Sequence, residues 1–149
     1  MDFDKQAFAT ALRDTTPDAI IYADAQGKIL LWNKGAERIF GFTEDEAISQ
    51  PLDIIIPENL RARHHAGHAK TMRTGETRYG AGETLAVPAL RKDGSRISVE
   101  FTIVPFRDEA GAMVGIAATM RDVTARFEEL RTLRRRVAAL PEAPTPAQT

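Results

Sequence analysis

Cysteine is absent from the 149-residue chain, so thiolate metal sites, disulfides and cysteine nucleophiles are excluded together. Long hydrophobic runs are missing as well. The longest apolar stretches, such as Ile54-Ile55-Ile56, are far too short to cross a bilayer. Neither sign of charge dominates: 20 Lys and Arg against 21 Asp and Glu leave a net charge of -1. No global pull toward nucleic acid or a membrane surface follows from that balance. The N-terminus, Met1-Asp2-Phe3-Asp4-Lys5, has acids where a signal peptide needs a basic start and an apolar stretch. A cytoplasmic location is therefore expected. Histidine is scarce, and its three copies, His64, His65 and His68, fall on one short segment.

What is present is ordinary for a globular domain: 43% hydrophobic and 28% charged residues, enough chain for one core. The histidine cluster is the chemical exception. Imidazole changes protonation near neutral pH, and its neutral form is the commonest protein ligand for transition metals. His64 and His68 have the i, i+4 spacing of helical zinc ligands, but no nearby glutamate or clear third ligand completes a zinc site. No nucleophile–base pair, phosphate loop or paired carboxylates appear, so the chain does not read as an enzyme.

Periodicity predicts an amphipathic lead helix over Asp4–Asp14, broken at Thr15-Thr16-Pro17. Ala19–Ala23 and Lys28–Trp32 read as a hairpin around Asp24–Gly27. Asn33 is placed to cap a helix over Lys34–Phe40 that stops at Gly41, and Thr43 with Glu46 forms a capping-box signature for another. Pro51–Ile56 reads as a tight apolar turn, followed by a longer helix over Glu58–Arg73. The period then switches to that of strands over Thr84–Leu90, Ser95–Phe106 and Met113–Met120, with turns at Lys92–Ser95 and Asp108–Gly111. Helical spacing returns over Asp122–Leu140. The proline-rich end is expected to be disordered. The organisation expected is a lead helix (1–14), an α+β domain with a single antiparallel sheet (15–122), a C-terminal helix (123–140) and a tail (141–149). Trp32, Ile39, Phe40 and Phe42 suit the packing of helices on that sheet. Asn33 and Asp45 read as caps or turn supports, and Glu37 and Arg38 as a solvated face.

Three motifs arrive in a recognisable order. The run from Asp24 to Ala47, containing Trp32-Asn33-Lys34-Gly35-Ala36-Glu37-Arg38-Ile39-Phe40-Gly41, resembles the signature of PAS domains. Arg91-Lys92-Asp93-Gly94-Ser95 and Met120-Arg121-Asp122-Val123-Thr124 resemble the two remaining landmarks of that family. The resemblance implies a five-stranded antiparallel sheet whose short helices wall a cavity. It also implies a sensor and dimerisation module that holds heme, flavin, a small metabolite or nothing. Cysteine-adduct flavin photochemistry and thiol-linked chromophores fail for want of cysteine.

Within the family, Pro57–His64 resembles the helix of heme-binding PAS domains in rhizobial oxygen-sensor kinases and direct-oxygen-sensor phosphodiesterases. Matching residue by residue places the proximal ligand of a b-type heme on His64. Arg61 and Arg63 then fall where they can neutralise propionates, and His68 becomes a supporting or substitute ligand. His65 points about 100° away and faces solvent. The distal arginine position of the rhizobial sensors falls on Leu85, and the methionine position of the phosphodiesterases falls near Glu83. Leu85, Val87, Phe101, Ile103, Ile116 and Met120 make the expected pocket predominantly apolar, with Arg78, Tyr79 and Glu83 as its nearby polar groups. O2, NO, CO or a redox change are the implied signals. The same lining suits a hydrophobic metabolite in a cofactor-free module.

Val123, Phe127, Leu130, Leu133, Val137 and Leu140 follow steps of three and four, an apolar stripe on a helix dense in charge. Such a helix needs a partner, either its own sheet or a second copy. With Phe8 and Leu12 of the lead helix it suggests a homodimer. The family implies an effector such as a histidine kinase or cyclase, the chain being a stand-alone sensor subunit or a piece of a longer protein. Arg134-Arg135-Arg136, balanced by Glu128 and Glu129, reads as a solvated face rather than a nucleic-acid contact.

Overall fold

The computed structural model describes residues 2–76 and 85–141, with Leu85 described by its backbone alone. Five strands form one antiparallel sheet: β1 (Ala19–Asp24), β2 (Ile29–Trp32), β3 (Leu85–Leu90), β4 (Arg96–Arg107) and β5 (Met113–Asp122), in the order β2-β1-β5-β4-β3. The first hairpin and the last three strands are thus joined through β1 and β5, which put the beginning and end of the sheet side by side. Pro88 is tolerated in β3 because that strand is an edge and needs no donor on its free side.

Helix α1 (Lys5–Thr15) is capped by Asp4, whose carboxylate accepts the Gln6 and Ala7 N–H groups. Helix α2 (Lys34–Phe40) has Asn33 as its cap and ends at Gly41 in the left-handed region, as expected. Helix α3 (Glu44–Ala47) opens on the full capping box, with Thr43 and Glu46 bonding each other's backbone N–H. The apolar turn after Pro51 is a single 3-10 turn, Leu52–Ile55. Where one helix was expected from Glu58, a second 3-10 turn (Glu58–Leu60) precedes helix α4 (Arg61–Thr74). Helix α5 (Thr124–Ala138) follows β5 after Val123, which is buried and donates its N–H to the Ser98 carbonyl.

Alternation along the strands separates two faces. One turns Ile21, Val99 and Ile29 toward α2, α3 and the 3-10 turns, where Trp32, Phe40 and Ile55 complete the core. Trp32 Nε1 donates to the Phe42 carbonyl at 2.9 Å, so the indole is both packed and satisfied. The opposite face carries Thr102 against Thr119, Val104 against Ala117 and Phe106 against Gly115. Val104 and Phe106 are exposed there.

Glu37 departs from the solvated face expected for it. Its half-buried carboxylate accepts the Glu44 N–H at 2.7 Å and pairs with Lys34 at 3.1 Å, tying α2 to α3. The Glu44 N–H, and then Lys34, hold its carboxyl below the ordinary glutamate range. Glu46 pairs with Lys92 of the β3–β4 turn, and that contact, with the Thr43 N–H, lowers its carboxyl to about 2. These two links fix α2 and α3 over one end of the sheet. They leave the other end open to α4.

Candidate ligand-binding site

Between α4, the two 3-10 turns and the inner face of β1, β3, β4 and β5 lies a cavity of about 590 Å³. The sheet contributes Val87, Phe101, Ile103, Ile116 and Met120, all expected there. It is completed by residues that the sequence did not single out, among them Leu52, Ile55, Ile56, Val99, Gly67 and Thr71. The strand period itself contains the signal for Val99, since it continues the alternation of Phe101 and Ile103. Leu52, Ile55 and Ile56 were hidden in a segment that read only as a turn.

Helix α4 supplies nearly all the polarity. Arg63, His64, Gly67, His68 and Thr71 line the cavity on one face. No acidic side chain or side-chain cap anchors its first turn. Instead, polar contacts to neighbouring segments hold it in place. His65 Nε2 lies 2.6 Å from Asp53 Oδ1, and His68 Nε2 lies 3.3 Å from the Ala25 carbonyl of the β1–β2 turn. At its C-terminal end Arg107 bonds the Gly75 carbonyl at 3.4 Å and the Gly111 carbonyl at 3.0 Å.

The three histidines therefore separate by role. His65 is exposed and turned to Asp53, away from the cavity. His68 lines the cavity but has a backbone partner. His64 is half-buried, and its Nδ1 is enclosed, with no hydrogen-bond partner among the described residues. Its ring stands 6.3 Å from that of His68, with the two planes 25° apart. Burial, and then the neighbouring His68 and His65, push the His64 pKa below its ordinary value. That environment favours the neutral imidazole over the charged form.

Arg61 is placed elsewhere: it does not line the cavity, and its Nε donates to the Ile56 carbonyl at 3.1 Å. Arg63 is exposed at the cavity edge and makes no ion pair among the described residues. Leu85 opens β3 in register with Phe101. Its side chain, and Arg78, Tyr79 and Glu83, lie outside the described residues. Among the described residues no three His, Asp or Glu side chains are grouped to hold a metal ion by themselves. No described helix is long and apolar enough to cross a membrane.

The residues present fit a heme better than a bare metal. A heme iron needs one or two protein ligands and an apolar slot for the porphyrin. The half-buried His64 ring, lining the cavity beside an apolar sheet wall, suits both needs. A cavity of this volume also falls within the ordinary range for small organic ligands.

Comparison with known proteins agrees with the architecture. The chain is 37% identical over 131 residues to an uncharacterised protein of Azorhizobium caulinodans, covering 87% of this chain and 17% of that protein. It is 31% identical to the sensor protein FixL of Bradyrhizobium diazoefficiens, covering 86% and 26%. It is 24% identical to the oxygen sensor protein DosP of Escherichia coli, covering 89% and 16%. The chain thus spans about a quarter or less of the length of these relatives. The crystal structure of a PAS domain from Colwellia psychrerythraea superposes with a TM-score of 0.70 at 28% identity, covering 82% of this chain and 99% of that one. The sequence model of the PAS fold matches residues 8–123, nearly the whole sheet and cavity, and the chain belongs to the PAS family of sensor and signalling domains.

Proposed function

We propose that the cavity is a b-type heme site with His64 as its protein ligand, and that the domain senses a diatomic gas (O2, NO or CO) or a redox change in the cytoplasm. One observation carries the reading: His64 lines the apolar cavity, and its Nδ1 has no hydrogen-bond partner among the described residues. A neutral imidazole keeps one ring nitrogen as a lone-pair donor, which is what an axial ligand to a heme iron supplies. Heme, when bound, supplies an iron atom that binds diatomic ligands and changes oxidation state.

The protein's own part is to hold and to exclude. His64 offers its ring in the neutral form that metals require. Val87, Phe101, Ile103, Ile116 and Met120 keep water from the slot. Arg63 provides positive charge at the edge for acidic substituents, a role that Arg61 is too occupied to share. His68, beside His64 on α4, is the substitute ligand. Similarity to a protein named as an oxygen sensor supports the class of signal.

A hydrophobic metabolite is the second reading, favoured by the almost wholly aliphatic sheet side of the cavity. Hemin titration separates the two. A Soret band that saturates at one hemin per chain is expected; no hemin uptake overturns the heme reading and leaves the metabolite.

Output would pass through the terminal helices. Phe127, Leu130, Leu133 and Val137 of α5, with Leu140 just past its end, are between 43% and 67% exposed, and Phe8 and Leu12 of α1 are 54% and 51% exposed. An apolar stripe this open is suited to a second copy of the chain. Ligand state would shift the population between dimer arrangements and so act on an effector such as a histidine kinase or cyclase. The double variant Leu130→Glu/Leu133→Glu is expected to sediment as a monomer where the wild type is a dimer. An unchanged mass removes α5 from the interface.

A further inference from the structure

Seven of the eight glycines among the described residues have a local reason to be glycine. Gly27, Gly41, Gly75, Gly94 and Gly111 take φ values from 73° to 86°, a region costly for other residues. Gly35 and Gly115 are crowded, with a Cβ meeting the Asp18 carbonyl oxygen at 2.0 Å and the Tyr22 hydroxyl at 2.2 Å. Gly67 has neither reason. It sits within α4, where glycine is among the poorest helix formers. A Cβ added there meets nothing within 4 Å.

Gly67 is exposed and lines the cavity at the same time, which places it at the mouth. Its neighbours on the helix surface are Arg63 at i−4, His64 at i−3 and Thr71 at i+4, all of which also line the cavity. A side chain at 67 would enter open space at the cavity mouth, on the stretch of α4 that also carries His64. We propose that Gly67 is the specificity-determining gap of this cavity: it provides the clearance that admits a broad, rigid, planar ligand beside His64. The proposal rests on the reading that the cavity holds a ligand against α4, and it names the shape of that ligand. A slender chain molecule would not need the gap, and a helix without it would be more stable.

Gly67→Ala and Gly67→Leu test this. Without ligand, Gly67→Ala should melt higher than wild type by about 3 °C, since a better helix former enters empty space. Hemin affinity should fall by about tenfold in Gly67→Leu and by less in Gly67→Ala, as the gap is progressively filled. If wild type takes up hemin and both variants match it, the gap is overturned while the heme reading stands. If wild type takes up no hemin, the heme reading fails, and the rigid planar dye pyrene-1-sulfonate becomes the probe. Dye binding that falls from wild type to Ala to Leu supports the gap. Equal dye binding in all three, or none in the wild type, overturns it. Should Gly67→Leu fail to fold, the alanine variant decides with the same readouts.

Discussion

His64→Ala is expected to remove or shift the Soret band of the hemin-loaded protein and to weaken hemin binding by about a hundredfold. Loss of mere partners of a metal ligand already costs about 10–100-fold in affinity. The substitution is well suited to the question because His64 makes no side-chain hydrogen bond to any described residue. Without ligand, removing it takes away an unsatisfied nitrogen along with some packing, so stability should move by less than about 1 kcal/mol. Added imidazole should restore the band, since alanine leaves room for a free ring in the space the side chain vacated. His68→Ala is the control. It gives up only the 3.3 Å contact to the Ala25 carbonyl and should keep the band in place. A band that survives His64→Ala but disappears in His68→Ala would transfer the ligand role one turn along α4. A band that survives both would place the heme elsewhere.

What could be read from the sequence and what could not follow a physical division. Helix α2 was legible to the residue because its limits are local: Asn33 caps one end, and Gly41 terminates the other in a conformation glycine favours. The strands were legible to within two residues because alternation reports which side chains turn inward. The separation of His64 from His65 was legible too, from the 100° step of the helix. The partners were not. That Asp53 would meet His65, that Ala25 would meet His68, and that Ile56 would engage Arg61 depend on how distant segments approach, and no periodicity encodes that. Glu37 shows the same limit. Its helical position faces away from the sheet, yet the N-terminus of α3 folds back onto it. Gly67 and Thr71 escaped notice because neither is apolar, and a wall defined by hydrophobicity passes over a gap and a hydroxyl.

Asn33→Ala is expected to be the most destabilising single change outside the apolar core, by about 4 kcal/mol, with loss of order at α1. The side chain is 5% exposed and uses all of its hydrogen-bonding capacity at one junction. Its Oδ1 accepts the Ile20 N–H at 2.8 Å and the Ala36 N–H at 2.9 Å. Its Nδ2 donates to the Arg13 carbonyl at 2.8 Å and the Asp18 carbonyl at 3.0 Å. One amide thus caps α2, extends the bonding of β1, and satisfies an orphan carbonyl in the last turn of α1. Alanine would strand these partners, and each buried group left unpaired costs about 1–3 kcal/mol. No other group can step in, because Gly35 already brings α2 so close to Asp18 that a Cβ there would collide with its carbonyl. Asn33→Asp divides the functions. It keeps the two acceptor contacts to Ile20 and Ala36 but turns an anionic oxygen toward the Arg13 and Asp18 carbonyls. Urea titration and hydrogen exchange should show α2 retained and α1 released in that variant, and both weakened in Asn33→Ala. A loss below about 1 kcal/mol for Asn33→Ala would mean that the junction does not depend on this amide. The position matters beyond stability. Asp18, held by Asn33 on its carbonyl, also pairs its carboxylate with Arg121 at 3.2 Å, one residue before β5 ends and three before α5 begins. Contacts from the end of α1 and from the end of β5 therefore converge on the Asn33–Asp18 corner of the sheet, and a side chain that fixes that corner bears on both.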